Sequence, residues 1–90
     1  MFNTPFFQLN QMNPQQQSIS PQATVAINGP KIRQLRTEQD LTQLYVATEC
    51  EVAVETVSRW ELSSPNIKLA NATKLADLFG VSLEKITSRV

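Results

Sequence analysis

Ser58 and Arg59, preceded by Ala53, Val54, Glu55 and Thr56, are side chains able to read a base pair along its edge. An arginine carries a fork of donors that fits guanine or a phosphate. A glutamate accepts from the exocyclic amine of cytosine, and the methyl groups of Ala53 and Val54 can pack on that of thymine. Thr56 and Ser58 offer hydroxyls to phosphate oxygens. Each residue also has an ordinary reading, with Arg59 a solvated cation and Glu55 a carboxylate that offsets the dipole of a first helical turn. The choice depends on whether these side chains share one outward face of a rod narrow enough to enter the major groove.

Val57 and Trp60 bear on that question, because residues three apart lie on one side of a helix. A helix from near Ala53 or Val54 to Glu61 that buries both of them turns Val54, Glu55, Ser58 and Arg59 outward, with Ala53 and Thr56 at its mouth. Ahead of it, Leu41-Thr42-Gln43-Leu44-Tyr45-Val46-Ala47 reads as a second short helix. Thr42 is a good N-cap, Val46 and Ala47 face inward, the helix runs to about Glu49, and Cys50-Glu51-Val52 makes the turn. Ala47 is small, as a close crossing of the two helices requires. Two short helices joined by a tight turn are the layout of a DNA-binding helix-turn-helix, in which the first braces the second. Gln43, just after the cap, places an amide and its own backbone N–H at a helix N-terminus, where a phosphate is favourably held. The plain alternative is a solvated surface glutamine.

The remaining elements must hold this pair. Pro30 suits the first turn of a helix that reaches about Gln39 with Ile32 and Leu35 on one face, and Asp40-Leu41 turns the chain into the next helix. Leu62-Ser63-Ser64-Pro65-Asn66 reads as loop, with Ile67 and Leu69 pinning its far end to the core. Ala72, Leu75, Ala76 and Phe79 repeat at three and four and define a fourth helix, which Gly80 ends. Ser82 can cap a short fifth helix carrying Leu83 and Ile86. The expected fold is all-α: a compact five-helix domain over residues 29–90.

Residues 1–28 contain no Asp, Glu, Lys or Arg and are crowded with Gln and Asn, with prolines at 5, 14 and 21. That composition cannot build a core, so a disordered tail is expected. The alternative is an arm whose Phe2, Phe6, Phe7 and Leu9 dock on a partner or a second subunit. Thr24-Val25-Ala26-Ile27 reads either as a short strand or as an extended lead-in, stopped by Asn28-Gly29.

Composition narrows the function classes. The chain has 90 residues, eight basic and eight acidic, with one cysteine and no histidine. An intrachain disulfide is impossible, metal-ligand spacing is absent, and neither a cofactor nor a metal is expected. No apolar run approaches the roughly 18 residues that cross a bilayer, and the start lacks the basic flank of a secretory signal, so a soluble cytoplasmic protein is expected. An enzyme is disfavoured by the lack of histidine, of a phosphate-cradling glycine loop and of a nucleophile beside a base. Lone Cys50 reads as buried core.

In order along the chain, Leu35-Arg36, Leu41-Thr42-Gln43, Val46-Ala47, Val52, Thr56-Val57-Ser58-Arg59-Trp60-Glu61, Leu75-Ala76 and Val81-Ser82-Leu83 resemble the lambda-repressor and Cro type of helix-turn-helix family, of XRE type, from Pro30 to about Ile86. The resemblance implies a DNA-binding domain in which Gln43 touches the DNA backbone, and in which Arg36 and Glu61 form a partly buried salt bridge. It also implies a homodimer on a two-fold symmetric site, with Leu83 and Ile86 or the aromatic tail as candidate contacts. Two positions depart from the family. Glu51 stands where a glycine with positive φ is common, and Ala53 replaces the usual Ser or Thr cap. From Leu41 to Glu61 there are four glutamates against Arg59 alone, an unfavourable balance for approach to a polyanion. The leading reading is a sequence-specific DNA-binding transcriptional regulator. The alternative is an antitoxin-like or adaptor module that binds protein through Leu44 and Tyr45 or through its tail, with little or no DNA binding.

Overall fold

The computed structural model describes residues 23–88. The expectations for the tail between residues 1 and 22, including the docking role of Phe2, Phe6, Phe7 and Leu9, lie outside them. Along the chain come β1 (Thr24–Ala26), α1 (Gly29–Glu38), α2 (Gln43–Cys50), α3 (Val54–Ser63), β2 (Asn66–Lys68), α4 (Leu69–Phe79) and a closing 3-10 turn (Leu83–Ile86).

The helices start and stop where side chains and backbone allow. Asn28 is extended and accepts from the Lys31 amide through its side chain at 3.1 Å, and Pro30 occupies the first turn of α1, where no N–H is required. Gln39 follows the end of α1 and donates its amide to the Phe79 carbonyl at 2.9 Å, fixing that end to α4. Thr42 caps α2 by accepting from the Tyr45 amide. Glu51 ends α2 in the left-handed region at φ 60°, donating its N–H to Ala47 and Thr48 as a glycine there would. Ala53 precedes α3 with no side-chain cap bond.

Two expectations need correction. The fold is not purely all-α with five helices: among the described residues there are four α-helices, the 3-10 turn and a two-stranded antiparallel sheet in which Val25 faces Ile67. The last element is four residues long and is held by a three-residue bond from the Lys85 amide to Ser82. Ser82 does not cap it with its side chain. A segment that short cannot recover the cost of starting an α-helix, and Thr87 is already extended to bridge Ile27. The second correction is that Leu62 and Ser63 belong to α3, which Ser64 ends at φ 49°.

The chain from Thr24 to Asn28 runs as a central seam. On one side β1 pairs with β2. On the other, the Asn28 amide donates to Ile86 at 2.8 Å and the Ser88 amide donates to Ala26 at 2.9 Å. Ile27 is fully buried with Ile32, Val46, Val57, Leu75 and Ile86, so the packed unit begins ahead of Gly29. Gly29 is required by close approach. A Cβ there would collide with the carbonyl oxygens of Trp60 and Glu61, and its N–H donates to Ser64 Oγ at 2.9 Å. Among the described residues no helix is long and apolar enough to cross a membrane.

Candidate nucleic-acid interface

The orientation of α3 follows from what it buries. Val57 is 0% and Trp60 3% exposed, and Ala47 packs in the same core, so α2 and α3 cross closely. Glu55 and Arg59 are thereby left exposed one turn apart, with Ala53 exposed at the mouth of the helix and Thr56 and Ser58 half-buried beside them. Neither Glu55 nor Arg59 joins an ion pair among the described residues. Val54 departs from the outward set: it is half-buried and packs against the core. The reason lies in the spacing, since positions 54, 57 and 61 fall on one stripe and the other two are buried.

Arg36 and Glu61 meet as a two-point pair. Arg36 Nε donates to Glu61 Oε2 at 2.6 Å and Nη2 donates to Oε1 at 3.1 Å, while Nη1 donates to the Leu41 carbonyl at 2.9 Å. Both side chains are largely buried, at 12% and 2% exposure. Gln43 joins them, its Nε2 donating to Glu61 Oε1 at 3.0 Å. One amide N–H of Gln43 is therefore committed inside the protein, and the second is left for any outside acceptor. Three donors on one buried carboxylate satisfy it and fasten α1, α2 and α3 together.

This network floors an open groove of about 510 Å³. Arg33 and Arg36 wall it from α1, Thr42 and Gln43 from α2, and Ser58, Glu61 and Leu62 from α3. Four groove residues, Arg33, Leu41, Thr42 and Leu62, lie outside the expected site residues. Arg33 lies three residues before Arg36 and Leu62 four after Ser58, spacings that would have placed them on these faces once α3 was extended through Leu62. Leu62 is 78% exposed, and Leu44 and Tyr45 on α2 are 64% and 44% exposed. Ile86, by contrast, is fully buried and Leu83 is half-buried against the core, so Ile86 is unavailable as a contact between subunits.

Cys50 is a buried free thiol. Burial pushes its pKa above the ordinary 9.0; nearby Lys74 pulls it down and Glu49 pushes it up. Among the described residues there is no group of three or more His, Cys, Asp or Glu placed to hold a metal.

The architecture has a counterpart among solved structures. The restriction-modification controller protein C.AhdI from Aeromonas hydrophila superposes with a TM-score of 0.58 at 28% identity, over 63% of this chain and 86% of that one. No curated protein matches the chain. The helix-turn-helix family model matches residues 32–86, well over half of the chain and the whole stretch from α1 to the 3-10 turn apart from its first residues. The chain belongs to the XRE-type helix-turn-helix family of DNA-binding transcription regulators.

Proposed function

We propose that this protein is a sequence-specific regulator that inserts α3 into the major groove of duplex DNA. The single observation that carries the reading is the facing of α3. Trp60 and Val57 are inside, and Arg59 and Glu55 stand free on the opposite side. On this reading Arg59 donates to guanine or to a phosphate, Glu55 accepts from a cytosine amine, and Ala53 meets a thymine methyl with whatever part of Val54 remains accessible. Thr56, Ser58 and the second amide N–H of Gln43 serve phosphates. The likeness to a controller protein supports a role in regulating transcription. The chain is read as a binding protein of the cytoplasm rather than an enzyme.

The chain acts as a homodimer on this reading, because one short helix discriminates by only a few kcal/mol and two half-sites are needed for a rare target. With Ile86 in the core, the surface that joins two copies lies elsewhere. Sedimentation at micromolar concentration tests this, and a strictly monomeric protein with and without duplex removes the dimer. The main test is selection of bound duplexes from a random pool at low salt, repeated with Arg59→Ala and Gln43→Ala. Loss of preference at one base step with the first, and uniform weakening with the second, assigns base reading to Arg59 and backbone contact to Gln43. A pool that shows no enrichment removes sequence specificity.

The exposure of Leu44 and Tyr45 favours a second reading, in which α2 offers an apolar spot to a protein partner. Absence of binding to any duplex at low salt, together with capture of a protein that Leu44→Ser releases, decides for it.

A further inference from the structure

We infer that Asn28-Gly29 is a latent site of covalent modification, namely loss of the Asn28 side-chain amide through attack by the chain's own backbone. The fold holds the reaction off, and the isoaspartyl product formed in the unfolded chain cannot return to the native state. The inference does not depend on what the protein binds.

The chemistry belongs to the dipeptide. Asparagine stands at positions 3, 10, 13, 28, 66 and 71, and Asn28 alone is followed by glycine, which has no Cβ to hinder approach to its backbone nitrogen. The Gly29 nitrogen forms a bond to Asn28 Cγ, the Cγ–Nδ2 bond breaks, and ammonia leaves with the proton that the nitrogen gives up. A five-membered imide results. Water then adds to one of the two imide carbonyls and opens the ring. Addition at Cγ gives aspartate, whereas addition at the former main-chain carbonyl gives isoaspartate, whose backbone runs through Cβ and is longer by one methylene. Water is the only co-reactant.

The native geometry opposes ring closure at each partner. Asn28 is exposed, so water reaches it and burial is not the protection. Its Oδ1 accepts from the Lys31 amide at 3.1 Å, and the Gly29 N–H that must be given up donates to Ser64 Oγ at 2.9 Å. At ψ 95° the Gly29 nitrogen lies on the far side of the Cα–C bond from Asn28 Cβ, whereas the imide needs both on the same side. Rotation about that bond has to carry Gly29 with it. Gly29 has nowhere to go, since its Cα is packed so closely on the carbonyls of Trp60 and Glu61 that even a Cβ would collide.

The same contacts separate the two products. The Asn28 amide donates to Ile86 at 2.8 Å on the strand side, while its carbonyl accepts the first helical bond from Ile32 at 3.0 Å. An extra methylene between these anchors shifts α1 against the seam, and the close packing of Gly29 cannot absorb the shift. Aspartate keeps the backbone length and caps a helix as well as asparagine does.

The test incubates the full chain at mildly alkaline pH with and without guanidinium chloride and follows each asparagine by peptide mass spectrometry. In denaturant, Asn28 is expected to react ahead of the other asparagines. The native chain is expected to react at least about a hundredfold more slowly there, because only its small opened fraction is competent. Ile27→Ala, which weakens the seam, should raise the native rate at least about tenfold. Equal rates with and without denaturant overturn the shielding, and a native rate unchanged by Ile27→Ala overturns the need for unfolding. The isoaspartyl chain, separated and returned to buffer, is expected to show no cooperative urea transition, whereas Asn28→Asp unfolds near the wild-type midpoint. An isoaspartyl chain with the wild-type midpoint overturns the claim that modification prevents refolding.

Discussion

At its start α1 is fastened by main-chain bonds and apolar burial, whereas near its end it is fastened by charge. Asn28 and Gly29 donate to Ile86 and Ser64, and the preceding Ile27 fills the core without exposure. Two turns later Arg36 holds Glu61, which also takes a bond from Gln43. The two fastenings differ in what they tolerate. An apolar seam loses stability in proportion to the volume removed, and most small apolar replacements partly fill it. A buried ion pair is intolerant of losing one partner and much less sensitive to losing both.

The comparison breaks most directly at Ile27. Ile27→Ala removes a fully buried side chain at the point where three segments meet, and is expected to cost about 4 kcal/mol, a large part of the stability of so small a domain. A urea midpoint lowered by less than the equivalent of about 1 kcal/mol would show that the seam is peripheral. At the other fastening, Arg36→Met and Glu61→Leu should each cost about 3 kcal/mol, because each leaves a poorly solvated charge. The double variant should cost far less than the sum of the two, and additive losses would show that the pair contributes no coupling.

A smaller comparison uses the two capping side chains. Asn28 belongs to the seam and Thr42 to the motif, yet both accept one backbone N–H in the first turn of a helix, at 3.1 and 3.0 Å. Each change to Ala is expected to cost about 1 kcal/mol, and the two should add, since the caps share no partner. A much larger loss at Asn28 would mean that its side chain also orders the strand before it.

These contrasts explain what could be read ahead of the fold. The spacing of Val57 and Trp60, the cap at Thr42 and the small Ala47 are local signals, and they placed α2, the turn and the start of α3 correctly. Positive φ at Glu51 was expected only through the family resemblance, in which a glycine is common at that position. The Arg36 to Glu61 pair spans 25 residues and was expected only through the family resemblance. The seam had no such help. Three residues of strand carry little signal by themselves, and β1 acquires its partners from β2 and from Ser88, both distant along the chain. The same lack of long-range information placed Ile86 at a subunit contact when the strand had already enclosed it. In the candidate interface the outward Glu55 and Arg59 were readable from period alone. Val54 lies half-buried because the stripe through Val57 and Glu61 runs back to it, and the place of Leu62 was not legible because residue 62, expected as the start of a loop, is in the last turn of α3.

The smallest expected effect lies at Cys50, on the core side of the same motif. Burial holds its thiol neutral, with a folded pKa raised above the ordinary 9.0. The unfolded thiol loses its proton first as the pH rises, so ionisation draws the chain toward the unfolded state. The contribution of this site is fully present below pH 9.0 and falls away as the pH climbs past it toward the folded pKa. Cys50→Ala should remove that part of the alkaline loss while slightly lowering stability at neutral pH through the lost volume. Denaturant unfolding of both proteins from neutral to alkaline pH reads the difference. Curves that stay parallel across the whole range would mean that the thiol is as accessible to ionisation in the folded chain as in the unfolded one, and that the core between α2 and α4 is open to water at this point.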